Sequence, residues 1–164
     1  KPIYNAIVWQ DRRTQEYCKS LKSKNYEKTF RKKTGLFIDP YFSATKIKWI
    51  LDNVKVSKKL LKSNNLLFGT VDTFLIWKLT KGKQHLTEAS NASRTMLFNI
   101  NNNKWDKEIL QKLKIPKKIL PEVKNSADNF GITNKQVVGK EIYVISSDQN
   151  VFFKLDCQPI KKNL

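Results

Sequence analysis

The sequence predicts an α/β fold, and three observations carry that prediction. Short β-branched and aromatic runs at residues 3–9 and 95–100, and again within "KEIYVISSDQN" (140–150), alternate with helix-like segments. Ile47, Ile50, Leu51 and Val54 recur at i, i+3, i+4 and i+7, the spacing of one helix face. Stop and start signals then punctuate the helices: Thr70 before one and Gly82 after it, Asp106 before the next and Pro116 after it.

Taken in order, residues 3–9 read as a strand from their Ile, Tyr, Val and Trp content. It stops abruptly at Gln10-Asp11-Arg12-Arg13-Thr14. Thr14 suits a helix N-cap, and Tyr17, Cys18 and Leu21 give the following helix one apolar face. The basic stretch 22–34 reads as a solvated amphipathic helix turn, with Tyr26 and Phe30 four residues apart. Gly35 marks a turn. Asp39 and Pro40 suit the cap and first position of a helix that runs to about Val54, which puts Tyr41 in its first turn, facing a cleft.

The next helix falls after Thr70, where Asp72 suits the positive N-terminal end. Val71, Phe74, Leu75 and Leu79 are spaced for its buried face, and Phe74 and Trp77 read as core. A short strand over Thr95–Ile100 leads into an Asn-rich loop. Asp106 then caps a helix carrying Ile109, Leu110 and Leu113, with Trp105 and Leu110 placed as a hydrophobic staple. The last strand breaks into Ser-Ser-Asp-Gln-Asn, and a carboxylate just past a strand end is well placed to enter a crevice.

Length allows one domain or less, and no run of about 18 apolar residues is present to span a membrane. The start lacks a basic head followed by an apolar core, and Lys1-Pro2 without an initiator Met reads as the interior of a longer chain. Cys18 and Cys157 sit in no CxxC; one disulfide is open to them, but two free thiols in a cytoplasmic protein fit better. His85 is the single His, which leaves zinc sites and Ser-His-Asp or Cys-His catalysis unsupported. No GxGxxG or GxxxxGK[ST] occurs, so no phosphate cradle of that type is expected. The net charge of +18 rests almost wholly on Lys, with Arg only at positions 12, 13, 31 and 94. Lys scattered along the chain points to a solvated surface more than to a site for nucleic acid, which favours the bidentate Arg fork. A basic α/β module that holds nucleic acid or an acidic protein is the alternative class.

Several long segments, in this order, resemble the glycerol kinase branch of the FGGY carbohydrate kinase family. They are "PIYNAIVWQDRRT", "TGLFIDPYFSATKIKWIL", "LLFGTVDTFLIWKLT", "NASRTMLFNI", "WDKEILQKLKIPKKILPEV" and "SADNFGIT". The resemblance runs from Lys1 to about Thr133. It implies part of a ribonuclease-H-like (actin-like ATPase) domain, incomplete. Residues 1–150 would be part of the glycerol-binding N-terminal domain and 151–164 a divergent tail, with the family's ATP-binding C-terminal domain absent from these residues. It implies transfer of the ATP γ-phosphoryl group to glycerol, with ATP and Mg²⁺ bound mainly by residues outside this sequence. The family's early Gly-Thr-Thr-Ser phosphate loop and its Arg-Glu pair for two glycerol hydroxyls would both precede Lys1. It further implies that these 164 residues alone lack useful kinase activity, and that a complementary kinase chain or a homo-oligomer is a possible partner.

The resemblance also assigns residues. Trp9 matches the Trp that packs on the glycerol carbons, and Tyr41 the Tyr whose hydroxyl holds a glycerol oxygen. Asp148 matches the Asp that serves as the catalytic base, and Gln149 the Gln that holds hydroxyls. Around these two the run departs from the family's small, Gly-rich pattern at Ser147, Phe152 and Phe153. With Trp9 as a pocket wall, Arg12 and Arg13 read as scaffold that pairs with Asp11 or with nearby acidic groups.

Overall fold

The structure, a computed structural model, describes residues 1–147 and 150–154. In chain order the helices and strands are α1 (Gln15–Ser23), α2 (Glu27–Thr34), α3 (Ser43–Asn53), α4 (Lys55–Lys62), α5 (Val71–Leu79), β1 (Leu86–Glu88), α6 (Ala89–Ser93), β2 (Phe98–Asn99), β3 (Lys104–Trp105), α7 (Lys107–Leu113), β4 (Glu122–Lys124), α8 (Lys135–Val138), β5 (Tyr143–Ser147) and β6 (Asn150–Lys154). The α/β class expected from the sequence is what forms. The chain divides into two compact units, one made of residues 1–68 and 92–120, the other of residues 69–91 and 121–164.

In the first unit α3 packs on α4 and α7, and α2 packs on β2. Phe30, Ile38, Ala44, Met96, Leu97, Ile109 and Leu113 are fully buried there. The basic segment forms helix α2, as expected, anchored by buried Phe30 and stopped by Gly35 in the left-handed conformation at φ 73°. Lys104–Trp105 pairs antiparallel with Phe98–Asn99, so the expected strand 95–100 shortens to the arm of a hairpin whose tip is the Asn cluster. Asp106 caps α7 as expected, its carboxylate accepting from the Ile109 N–H at 2.9 Å.

The strand expected at 3–9 does not form. A strand needs a ladder partner, and among the described residues none pairs with this stretch. Instead Val8–Asp11 makes a turn closed by the Asp11 N–H on the Val8 carbonyl at 3.1 Å. α3 also starts later than expected, at Ser43 rather than Pro40. Asp39 does not cap it; its carboxylate accepts from the Tyr41 N–H at 2.8 Å and its carbonyl from the Phe42 N–H at 3.3 Å. One orphan donor of the helix start, the Ala44 N–H, goes to the Thr95 carbonyl at 3.0 Å.

In the second unit β1 pairs parallel with β4, and β5 antiparallel with β6, with Ser147 opposite Asn150. Ile76, Leu86, Phe130 and Val144 form the apolar core, with α5 packed on β1 and α8. α5 ends as expected, with Gly82 at φ 80° and its N–H on the Trp77 carbonyl. Its faces, however, are reversed. Val71, Phe74 and Leu75 are exposed, while Asp72, Thr73, Ile76 and Thr80 are buried. A hydrogen-bond network accounts for this: Asp72 accepts from the Thr87 hydroxyl at 2.9 Å, from the Thr70 hydroxyl and from the Thr73 N–H. Burying that carboxylate with its donors turns the apolar stripe outward.

Candidate functional site

The site lies in the first unit and is built on the two turns just described. The Val8–Asp11 turn presents Trp9, and the Asp39–Phe42 turn presents Tyr41. The structure brings these two expected residues together: their ring centroids are 5.8 Å apart with planes tilted by 50°. Both stay open to solvent, Trp9 at 60% and Tyr41 at 43% exposure. Large aromatic rings left this open need a reason, and two adjacent ones form a flat apolar wall with one phenolic hydroxyl on its edge. Tyr41 also stands against Phe42, edge to face, at 5.1 Å. Beside it a shallow groove of about 410 Å³ is lined by Gly35, Leu36, Phe37, Asp39, Phe42 and Arg94. Arg94 lies over the Phe42 ring at 5.4 Å.

The Arg pair is scaffold, as expected. Arg13 grips the Asp11 carboxylate with Nε at 2.9 Å and Nη2 at 2.7 Å, donates from Nη1 to the Tyr4 hydroxyl at 2.9 Å, and stacks on Trp49 at 4.5 Å. Arg12 reaches Asp39 at 3.6 Å. With three of its five N–H groups and one face of the guanidinium engaged within the fold, Arg13 is spent mainly on scaffolding. The Arg13 hydrogen bonds hold the Asp11 carboxyl at about 2, against an ordinary value of 3.8. A depressed carboxyl stabilises the fold above its unfolded value and stops doing so as pH falls through its folded one. The urea midpoint should therefore drop as pH is taken from 3.8 to about 2, and an Asp11→Asn variant should lose part of that drop.

Sequence reasoning missed Lys46. It is one Lys among many, and its place on α3 next to Ile47 was the only signal. It is buried, and its ammonium donates to the Val8 carbonyl at 2.8 Å and the Tyr41 carbonyl at 3.0 Å. Burial pushes its pKa down, opposed by the attraction of Asp11 and Asp39. Thr14, expected as a cap, makes no cap bond; its hydroxyl pairs with that of Thr45 at 2.9 Å.

Asp148 and Gln149 lie outside the described residues. So does Cys157, while Cys18 is a buried free thiol whose pKa burial raises. Among the described residues no cluster of three His, Cys, Asp or Glu could hold a metal ion, and no helix is long and apolar enough to cross a membrane.

Residues 1–148 match the FGGY family of carbohydrate kinases, N-terminal domain. The chain is 59% identical over 142 residues to a glycerol kinase of Thermoanaerobacter sp. (strain X514), covering 87% of this chain and 29% of that relative. It is 55% identical over 151 residues to a glycerol kinase of Borrelia duttonii (strain Ly), covering 91% and 30%. Among solved structures it resembles Plasmodium falciparum glycerol kinase with ADP, at TM-score 0.80 and 37% identity, over 85% of this chain and 28% of that one. A gluconate kinase from Lactobacillus acidophilus shares the fold at TM-score 0.70 and 24% identity, over 83% and 26%. The chain thus spans less than a third of the length of these proteins.

Proposed function

We propose that this chain, which belongs to the FGGY family of carbohydrate kinases and has its actin-like fold, supplies the alcohol-binding face of an ATP-dependent glycerol kinase. The observation that carries the reading is the exposed Trp9–Tyr41 pair. A triol offers a short apolar edge and three hydroxyls, so its recognition calls for one flat wall and several fixed hydrogen-bond partners. Trp9 serves as the wall and the Tyr41 hydroxyl as one partner. Asp148 and Gln149, assigned from the sequence, serve as base and as a further partner.

In that reaction a terminal glycerol oxygen attacks the γ-phosphorus of ATP in line, the bond to the β-phosphate oxygen breaks, and ADP leaves. The alcohol proton passes to a carboxylate as the new bond forms, the role given to Asp148. Catalysis then rests on placement of the alcohol, which Trp9 and Tyr41 provide, and on stabilisation of phosphoryl charge. When bound, Mg²⁺ supplies that charge stabilisation together with the nucleotide-binding residues.

The test is a glycerol titration of the chain followed through the Trp9 indole N–H signal in NMR, which separates it from Trp49, Trp77 and Trp105. Glycerol should shift the Trp9 signal saturably, and Trp9→Ala should weaken binding about tenfold, near the worth of one buried apolar wall. A Trp9 signal that ignores glycerol at saturating concentration would refute the reading. The basic-module alternative is not favoured: the net charge behind it is almost wholly scattered Lys, and Arg12 and Arg13 are engaged with Asp39 and Asp11.

A further inference from the structure

We propose that Lys46 is a positioning residue of this site, the tie that holds the Trp9 turn and the Tyr41 turn in register; the inference rests on the reading of Trp9 and Tyr41 as the glycerol wall. The two turns are 32 positions apart in sequence and belong to no common strand or helix, since α3 begins only at Ser43. Their backbone link is the Lys46 ammonium. It donates to the carbonyl of Val8, the residue before Trp9, at 2.8 Å, and to the carbonyl of Tyr41 itself at 3.0 Å.

The geometry suits a lysine. A compact ammonium with three hydrogens can serve two carbonyls that converge on one point. Its four-carbon stem runs from α3, so the anchor is a regular helix while both clients are turns. Each client is also braced from its other side. The Val8 carbonyl accepts from the Asp11 N–H as well, at 3.1 Å, and the Tyr41 N–H donates to Asp39 at 2.8 Å. Asp11 and Asp39 attract the ammonium and Arg13 opposes it, so the charge sits among groups already tied to the same turns. Lys46 is only 6% exposed, which limits the competition of water for these part-buried bonds. Removing the ammonium leaves two carbonyls without that donor and leaves the turns joined by side chains alone, the exposed Arg12–Asp39 pair and the ring contact itself, which hold them less firmly. A shift on the order of 1 Å in one ring is enough to spoil a site that acts by placement.

The experiment compares the wild-type chain with Lys46→Met and Lys46→Arg by NMR. The first readout is the set of nuclear Overhauser contacts between the Trp9 and Tyr41 rings, measured without ligand. The second is the glycerol dissociation constant. The cap of α7 at Asp106 and Ile109 reports that the fold is kept.

K46M is expected to keep the α7 signals, lose the ring contacts and weaken glycerol about tenfold or more, as for a lost charge-assisted bond. K46R, which keeps the charge and two donors, is expected to retain the contacts and most of the affinity. A folded K46M with ring contacts and affinity intact overturns the proposal. If K46M fails to fold, Lys46→Gln is read by the same criteria, and failure of both to fold assigns Lys46 to stability instead and overturns it too. A wild-type chain that shows ring contacts but ignores glycerol refutes the glycerol reading alone. The ring-contact comparison then still decides whether Lys46 ties the turns together.

Discussion

Asp106→Ala is expected to lower the free energy of unfolding of the first unit by about 3 kcal/mol, measured by urea denaturation. The carboxylate is only 6% exposed and works in three directions at once. One oxygen caps α7 through the Ile109 N–H at 2.9 Å and takes the Lys33 ammonium at 3.0 Å; the other accepts from the Asn99 side chain at 2.8 Å. Loss of a cap costs about 1 kcal/mol. Loss of the bonds from Lys33 and Asn99 adds about 2 kcal/mol, because both are part-buried or buried and one is charge-assisted. The total stops there because Lys33 keeps Glu108 at 2.6 Å and is not left alone. Asp106→Asn separates the parts: its amide oxygen can still cap α7, so it should cost roughly half as much. An Asp106→Ala chain as stable as wild type would mean the hairpin β2–β3 and α7 do not depend on this junction.

Glu88→Gln is expected to cost the second unit about 2 kcal/mol. Glu88 is 1% exposed, and every group facing it is a donor. The N–H groups of Ser90 (2.8 Å) and Asn91 (3.2 Å) and the Ser90 hydroxyl point at one oxygen, and the Ser126 hydroxyl, at 2.6 Å, points at the other. A glutamine can keep its amide oxygen for the Ser90 and Asn91 N–H groups and turn its NH₂ to Ser126, whose hydroxyl must then accept instead of donate; every bond survives only as a neutral one, and the charge assistance of the carboxylate is lost. Burial alone would raise the Glu88 pKa. The bonds from Ser126, Ser90 and Asn91 outweigh it, and the carboxyl ends below its usual value of 4.5. The sign follows: this contribution is present above 4.5 and fades as pH falls through the folded value. The stability gap between wild type and Glu88→Gln should therefore narrow as pH is lowered below 4.5, a trend that urea midpoints across that range would detect.

What could be read from the sequence was local. Asp106 was legible as a cap because an Asp before Ile109, Leu110 and Leu113 meets only nearby partners. Gly35 was legible as a turn and Gly82 as a stop because the left-handed backbone they adopt is a property of the residue itself. Thr14 and Thr70 were placed correctly at helix starts, but their hydroxyls answer to Thr45 and Asp72, partners whose choice is tertiary. The face of α5 was misread for the same reason, since periodicity weighs Val71, Phe74 and Leu75 but cannot see a buried carboxylate pulling the other side inward. Residues 3–9 have strand composition without a ladder, and composition is silent on partners. Trp9 and Tyr41 were singled out through long family-like segments, and the structure sets their rings side by side. Lys46 was not, because one buried lysine among so many solvated ones differs only in where its ammonium ends.

The parallel ladder between β1 and β4 has a consequence for synthesis. Leu86 pairs with Glu122, and the segment 92–120 between them belongs to the other unit. A chain growing from its N-terminus has β1 in hand long before β4 exists. At roughly 5–20 residues per second, β1 waits on the order of a few seconds with its main-chain edge unsatisfied. The intervening hairpin and α7 can close from local contacts in that interval, and doing so shortens the loop that the ladder must then close. The order of assembly is thus written into the threading: the second unit finishes last, and its early half is the nascent segment most in need of protection.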